Sequence, residues 1–187
     1  MRTPKKIREE TVYATPWFSI QKLFYQTSDR NLTPYYRLKK GNGVFILALT
    51  KRGEVIMVRQ FRPAIGAWTY EMPAGAVEKS QTTLAAARRE LWEETGYVAS
   101  RWRPLGSGRL MMDRFSGKMT GWLALGAEIR RAAKRSAHRL PVKKIRMPQF
   151  FGWMMRHRFE QIGGLGFLLR GLVRYPAELS GFLHREK

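Results

Sequence analysis

The sequence predicts a mixed α/β domain, and three observations support this class. Residues 44–50 and 54–62 are rich in Val, Ile, Leu and Phe, and a turn-like segment at 51–53 separates them, which predicts two neighbouring strands. A helix with one apolar face is predicted over residues 82–95. Strand-like segments return after this helix, and such alternation of strands and helices indicates an α/β or α+β domain.

The first part of the chain, residues 1–40, is predicted to be a strand region of its own. Apolar and aromatic residues alternate with polar ones between residues 11 and 40, and a turn is expected near residues 28–31. This pattern is typical of a β-hairpin or a small sheet. Residues 41–187 then form the main domain.

The predicted helix at 82–95 carries clear signals at both ends. Its apolar positions share one face and are Leu84, Ala87 and Leu91. Either Thr82 or Thr83 is suited to cap the first turn with its hydroxyl oxygen. Gly96 stands where a left-handed residue commonly ends a helix. The helix is therefore expected to pack one side on a core.

The last third of the chain begins with a basic stretch. Residues 128–147 are predicted to form a basic loop, because lysines and arginines follow Glu128 there without another acid. One or two helices are expected over residues 147–173. Their apolar side chains are expected to cover the sheet, among them Met154, Met155, Phe159 and Ile162. A helix lying on a membrane surface is the alternative interpretation of the same pattern.

Composition restricts the chemistry and the partners. The chain has no cysteine, which excludes disulfides and thiolate chemistry and is compatible with a reducing compartment. No apolar run approaches the roughly 20 residues that a membrane-spanning helix requires. The 35 Lys and Arg residues against 14 Asp and Glu residues give a net charge of +21. We therefore expect a cytoplasmic protein whose partner is anionic.

Three carboxylates on the predicted helix form a candidate metal site. Glu90, Glu93 and Glu94 stand at positions i, i+3 and i+4, so their side chains project from one face. Like charges at this spacing repel each other unless a cation neutralises them, and carboxylate oxygens are ligands that Mg²⁺ and Mn²⁺ prefer. A solvated helix face is the alternative. The site is favoured because so acid-poor a chain places three acids together directly after a Gly- and Pro-containing loop.

The segment 75–97 resembles the Nudix box, whose pattern is G-x5-E-x7-R-E-U-x-E-E-x-G-U, with U a bulky apolar residue. The matching positions are Gly75, Arg89, Glu90, Leu91, Glu93, Glu94 and Gly96. Two positions depart, since Gln81 replaces the first Glu and Tyr97 replaces the last aliphatic residue. In the family the first Glu pairs with the box Arg, so Gln81 is expected to keep a hydrogen bond to Arg89 and to lose the ion pair.

The resemblance implies a fold and a reaction. The fold is the Nudix α/β/α sandwich, with a mixed β-sheet and a loop–helix–loop motif. The reaction is Mg²⁺-dependent (or Mn²⁺-dependent) hydrolysis of a diphosphate linkage. Upstream, V-R-Q-F-R at 58–62 and E-x-P-A-G at 71–75 resemble the ADP-ribose and ADP-sugar pyrophosphatase branch, which implies AMP and a sugar phosphate as products. In that branch the first strands also support a homodimer.

The same resemblance implies roles for individual residues. The expected metal ligands are Glu90, Glu93, Glu94 and the backbone carbonyl of Ala74. The expected catalytic residues are Glu93, Glu94 and Arg89. Arg62 and Arg59 are expected to bind the substrate diphosphate, with a solvated strand edge as the alternative. Trp17 is expected to stack on the adenine, with a place in the core as the alternative.

One catalytic residue of that branch has no counterpart here. Its members carry a Glu in a late loop that positions or deprotonates the attacking water, whereas residues 130–148 of this chain contain no acid. The substitutes considered are His138, Asp113, Glu128, Glu160 and Glu93. A Nudix-fold protein that binds nucleotide or RNA without efficient turnover, or that acts on RNA 5′ ends, is therefore the alternative function. A weak polyanion contact through the basic loop would accompany it.

Overall fold

The computed structural model describes most of the chain in two compact units. The described residues are 3–26, 32–130, 138–156 and 159–183. The N-terminal unit comprises residues 1–42 and 108–119. The main unit comprises residues 43–107 and 120–187.

The N-terminal unit is built on a three-stranded antiparallel sheet in the order β1-β2-β3. The strands are β1 (Lys5–Ala14), β2 (Ser19–Gln26) and β3 (Leu32–Lys39). A small N-terminal sheet is what the alternating pattern predicts, while the turn expected near 28–31 lies outside the described residues. The segment 108–119 joins this unit because the Leu38 N–H donates to the Arg114 carbonyl at 2.7 Å. That contact spans too much sequence to be predicted from local pattern.

The main unit contains an eight-stranded sheet. Its strands are β4 (Gly43–Thr50), β5 (Glu54–Arg62), β6 (Ala67–Glu71), β7 (Ala74–Ala76), β8 (Tyr97–Val98), β9 (Arg101–Gly108), β10 (Met119–Ile129) and β11 (Val142–Arg146). The order along the main path is β11-β5-β4-β10-β8, with β6 paired to β5, β7 to β4 and β9 to β10. The predicted strand pair β4–β5 lies at its centre, and every residue of β4 is buried.

Helices cover both faces of this sheet, which gives the predicted sandwich. The helices are α1 (Thr83–Thr95), α2 (Met147–Arg156), α3 (Ile162–Arg174) and α4 (Pro176–Leu183). Successive side chains of β4 point to opposite faces. Ile46 packs in one core cluster with Leu91 of α1, while the Phe45 ring lies 5.6 Å from the Phe167 ring of α3. The α/β class is confirmed.

Helix α1 begins and ends where the sequence predicts. The Thr82 hydroxyl oxygen accepts a hydrogen bond from the Ala85 N–H at 3.1 Å. At the other end Gly96 has φ 75° and donates its N–H to the Trp92 carbonyl at 2.8 Å. The Arg139 guanidinium packs against Gly96, which places a cation at the carboxyl end of the helix dipole.

The predicted basic loop at 128–147 is wrong at both ends. Strand β10 continues to Ile129, and residues 142–146 form β11, which pairs antiparallel with β5. Residues 131–137 lie outside the described part of the chain. Only Ile145 of β11 is buried, and most of its other side chains are charged or exposed. The strand forms nevertheless, because its backbone pairs with β5. A charge run predicts solvent contact, and it does not predict backbone conformation.

Residues 147–173 form two helices, α2 and α3, within the one or two predicted, and α4 follows them. Phe159 is buried as expected, and Met154 is half-buried. However, Met155 is 85% exposed and Ile162 is 72% exposed, so the expectation that they cover the sheet is wrong. Phe159 lies between α2 and α3, and the break resets the helical phase on which that expectation depended. Among the described residues, no helix has the length and apolarity to cross a membrane.

Substituting Gly96 by Ala should destabilise the chain by about 1 kcal/mol or more, because a side chain at this positive φ is strained. The corresponding fall in melting temperature is about 2–4 °C for a chain of this size. Gly166→Ala is the matched control, since Gly166 lies in α3 with open space around it and Ala should stabilise the helix by about 0.5–1 kcal/mol. Equal shifts of the same sign in thermal melts of both variants would contradict this account.

Candidate active site

Two carboxylates of α1 lie against the backbone of the loop that precedes the helix. Strand β7 pairs with β4, and this pairing holds Ala74 and Gly75 beside α1. The Ala74 N–H donates to Oε2 of Glu94 at 3.2 Å. A Cβ placed on Gly75 would overlap the carboxylate of Glu90, so only glycine leaves room for it. The loop and the helix thus bring Glu90 and Glu94 together.

Arg89 ties the same loop to the helix through several contacts. Its Nη2 donates to the Ala76 carbonyl at 2.9 Å and lies 2.9 Å from Oε1 of Glu90. Its Nη1 donates to Oε2 of Glu93 at 2.8 Å. The arginine therefore partly neutralises Glu90 and Glu93 while it fixes the loop, which leaves Glu94 without a direct cationic contact among the described residues.

Gln81 does not make its expected hydrogen bond to Arg89. Its Oε1 accepts from the backbone N–H of Glu78 at 3.2 Å instead. The carboxylate of Glu78 lies 3.5 Å from Nη2 of Arg89. The ion pair that the pattern assigns to position 81 is thus supplied from Glu78, which is exposed, so solvent weakens it.

A second ion pair, between Arg62 and Glu71, lies near the carboxylates of α1. Only Arg62 was predicted to belong to the site. Arg62 donates from Nε to Oε1 of Glu71 at 2.6 Å and from Nη2 to Oε2. Glu71 is buried and also accepts from the hydroxyl of Thr69 at 2.6 Å. Gln161 donates to Glu71 at 3.2 Å and accepts from the Met72 N–H at 2.9 Å. The bidentate pair fixes the Arg62 guanidinium in place.

Glu71 and Gln161 had no predicted role. Glu71 was visible as the acid of the E-x-P-A-G motif, which is a signal that could have identified it. Gln161 was not identifiable from sequence, because only the tertiary contact between the start of α3 and the end of β6 brings it there.

The pKa values of the acids in this region are shifted in opposite directions. Burial, and then the charge of Glu90, raise the pKa of Glu94 to about 8, although its hydrogen bond from Ala74 acts the other way. Burial also raises the pKa of Glu90 against the effect of Arg89. For Glu71 burial alone would raise the pKa, but the hydrogen bonds from Arg62 and Thr69 outweigh it and lower the pKa. Glu71 is therefore a fixed anion, whereas the protein does little to stabilise the ionised form of Glu94.

The structure separates the two arginines that were predicted to act together. The pairing of β5 with β6 is regular, so Arg62 and Glu71 lie on one face and Arg59 lies on the other. The guanidinium of Arg59 lies over the Trp68 ring, 4.9 Å from its centroid. Arg59 is thus not brought to the carboxylates, while Arg62 is close enough to Glu94 to affect its charge.

The other candidates lie elsewhere. Trp17 is exposed in the N-terminal unit, and its stacking role stays a prediction. Glu128 forms an exposed ion pair with Lys51 at 2.6 Å, and Glu160 and His138 are exposed. Asp113 belongs to the N-terminal unit. Within the described residues, neither Glu128 nor Glu160 is a hydrogen-bond or ion-pair partner of the carboxylates on α1.

The donor set fits a hard divalent cation. Among the described residues no three acidic or imidazole side chains already converge on one point, because Arg89 engages two of the three glutamates. Glu90 and Glu94 nevertheless present half-buried oxygens beside the Ala74 backbone, and burial is the main cause of their raised pKa values. Oxygen donors with uncompensated negative charge suit Mg²⁺ or Mn²⁺.

The carboxylates and Arg62 lie inside a segment that is similar to a known protein family. The family model described as NUDIX domain matches residues 39–124. A stretch of 64 residues is 44% identical to the ADP-ribose pyrophosphatase of Bacillus subtilis (strain 168), covering 34% of this chain and 35% of that protein. A stretch of 43 residues is 56% identical to the ADP-sugar pyrophosphatase of Mus musculus, covering 23% of this chain and 20% of that protein.

The chain thus spans only about a third, or a fifth, of the length of these two relatives. A solved structure extends the likeness over the whole fold. The crystal structure of an ADP compounds hydrolase superposes with a TM-score of 0.81, over 97% of this chain and 97% of that chain, at 19% identity. At this identity the likeness establishes the fold.

A pH-dependent stability difference should follow from the raised pKa of Glu94. Without metal, the folded chain keeps Glu94 protonated up to a pH of about 8, whereas the unfolded chain ionises it near its ordinary value of 4.5. The folded state therefore binds more protons across this window, so the contribution of Glu94 to stability falls as pH rises through it. Glu94→Gln removes this contribution. In EDTA, the melting temperature of the variant relative to that of the unaltered chain should therefore increase from pH 5 to pH 8.

The exposed Glu128→Gln variant is the control, and its difference from the unaltered chain should not grow in this way. Added Mg²⁺ should reduce the effect in the unaltered chain, because a bound cation stabilises the ionised carboxylate. A difference between Glu94→Gln and the unaltered chain that stays constant with pH would show that Glu94 is not shifted.

Proposed function

We propose that the chain carries a Nudix domain and that it hydrolyses the diphosphate linkage of ADP-ribose or an ADP-sugar with the help of a divalent cation. The half-buried pair Glu90 and Glu94, held at the Ala74–Gly75 backbone without enough positive charge, is the observation that carries this proposal. The names of the relatives, ADP-ribose pyrophosphatase and ADP-sugar pyrophosphatase, support the choice of substrate.

We propose Mg²⁺ as the cation. Glu90, Glu94 and the carbonyl of Ala74 would hold it, with Glu93 as a further ligand or as the base. When bound, such an ion neutralises diphosphate charge and makes a coordinated water more acidic. This function explains why a chain so poor in acids keeps a self-repelling cluster on one helix.

The side chains around the cluster would then act in defined ways. Arg89 positions Glu90 and Glu93 and holds the loop against α1. One oxygen of Glu93 is occupied by Arg89, which leaves the other to accept the proton of the attacking water. The water oxygen forms a bond to one phosphorus while the bridging P–O bond breaks, and the leaving phosphate departs with the bridging oxygen. The products are AMP and a sugar phosphate.

Arg62 would contact the substrate diphosphate. Its Nε and Nη2 are engaged by Glu71, so Nη1 is the group that remains for a phosphate oxygen. Because the guanidinium is held at two points, it meets developing phosphate charge without reorganising. Stacking of Trp17 on the adenine, homodimer formation through the N-terminal strands and a cytoplasmic location stay predictions of the same proposal.

Binding of a nucleotide without turnover is the second candidate. It is favoured by one observation, that Arg89 and Arg62 already neutralise Glu93 and Glu71 while the described residues supply no late acid at the cluster. The retained pair Glu90 and Glu94 favours turnover over binding alone.

The proposal is tested by AMP release from ADP-ribose in the presence of Mg²⁺. Replacing Glu94 by Gln should lower the rate by about 100-fold or more, since even outer-shell partners of metal ligands are worth roughly 10- to 100-fold. The control Glu128→Gln removes an equal charge from an exposed ion pair and should retain the rate. EDTA should abolish the reaction, and a panel of other nucleoside diphosphate derivatives should identify the preferred sugar.

If no substrate is hydrolysed while calorimetry still detects binding of ADP-ribose, the chain is a nucleotide-binding protein on this fold. Equal losses in Glu94→Gln and Glu128→Gln would also contradict the assignment of Glu94.

A further inference from the structure

The face of β5 and β6 that points away from the carboxylates carries exposed aromatic rings between cations. We name it the aromatic–cation face, and its members are Arg59, Phe61, Trp68, Tyr70 and Lys143. Trp68 is 58% exposed and Phe61 is 44% exposed, so two large rings are open to solvent side by side. Neither is used by the proposed hydrolysis.

Two of the rings of this face contact each other, and two of its three rings lie beside a cation. The Phe61 and Trp68 rings meet edge to face with centroids 5.7 Å apart. Arg59 lies 4.9 Å from the Trp68 centroid, and Lys143 of β11 lies 5.2 Å from the Tyr70 centroid. Lys143 also lies 5.3 Å from the Trp153 centroid, and the Tyr70 and Trp153 rings meet edge to face with centroids 5.3 Å apart. The ring surface open to a ligand is therefore that of the exposed Phe61 and Trp68.

The pairing of the strands fixes the spacing of the two ring positions on β6. Trp68 and Tyr70 are two residues apart, which corresponds to roughly 7 Å along an extended strand. Phe61 and Arg59 stand directly across from them on β5. The face therefore presents two exposed rings, Phe61 and Trp68, with Arg59 over Trp68 and Lys143 beside the half-buried Tyr70, and a regular backbone ladder holds them.

The charge of the face selects the class of partner. Its members include no carboxylate, and Glu71 of the same strand points to the opposite side. A second copy of this chain would bring like charges against Arg59 and Lys143, in a chain whose net charge is +21. A partner with phosphates beside flat bases instead matches both features, since bases stack on aromatic rings and phosphates pair with Arg and Lys.

We propose that the aromatic–cation face binds single-stranded RNA, with bases on Phe61 and Trp68 and phosphates at Arg59 and Lys143. This site is separate from the proposed hydrolysis, because strand alternation places it on the other side of the β5–β6 pair. It also differs from the basic loop first expected to contact a polyanion, since only Lys143 belongs to that stretch.

The test is fluorescence anisotropy of a short fluorescein-labelled RNA of mixed sequence, titrated with the full chain in EDTA so that hydrolysis cannot occur. Trp68→Ala should weaken binding by about ten-fold or more, the scale of one base–aromatic stack. Trp68→Tyr keeps a ring and should retain most of the affinity. Arg59→Gln should reduce the dependence of log affinity on log salt by about 0.7, the loss of one phosphate contact.

The matched control combines Tyr13→Ala with Arg52→Gln, which removes one exposed ring and one positive charge outside this face. This control should bind RNA nearly as the unaltered chain does, and all variants should melt at similar temperatures. A duplex of the same sequence should bind clearly more weakly, because its bases are already stacked.

Three results would overturn the proposal. These are absence of RNA binding at low salt, equal losses in the control and in Trp68→Ala, and duplex binding as tight as single-strand binding. A fourth is a change of oligomeric state in Trp68→Ala, seen by analytical ultracentrifugation without loss of RNA affinity, which would make the face a contact between copies of the chain.

Discussion

Partial burial of several like charges at one end of α1 is the constraint on which this site depends. Each of its neighbours reduces the electrostatic cost in a different way. Arg89 supplies a cation to Glu90 and Glu93, the Ala74 N–H supplies a dipole to Glu94, and Gly75 supplies space. None of these contacts compensates Glu94 fully, as its raised pKa shows. The fold therefore keeps a deficit of positive charge at one point, which a divalent cation can remove.

The two faces of the β5–β6 strand pair carry different kinds of side-chain contact. On one side Arg62 and Glu71 form a fixed pair, and Gln161 connects that pair to the start of α3. On the other side Arg59 and Trp68 form a contact between a cation and a ring. Both sides use the same backbone ladder, so the period of two along each strand decides which side chain takes part in which chemistry. The positions 59 and 62 illustrate this, because an odd separation places two arginines of one motif on opposite faces.

Local signals predicted what depends on local structure. Helix α1, its Thr82 cap and its Gly96 end all follow from residues within the helix or beside it. The buried strand β4 follows from an unbroken apolar run. Elements that depend on long-range contact were missed. Strand β11 looks like a loop because its side chains are charged, and Gln161 reaches Glu71 only after α3 has packed. Likewise Glu78, and not position 81, pairs with Arg89, since the path of the loop decides which carboxylate comes within reach.

The alternation along β6 also limits how this chain can evolve. Single substitutions at Trp68 or Tyr70 change one face only, so the two faces can diverge independently. A one-residue insertion or deletion within Ala67–Glu71 would act on both at once, because it exchanges inward and outward positions for the rest of the strand. Tyr70 or Met72 would then take the place of the buried Glu71, and Arg62 would lose its partner. Changes of length should therefore be tolerated in the turns that flank this strand and not within it.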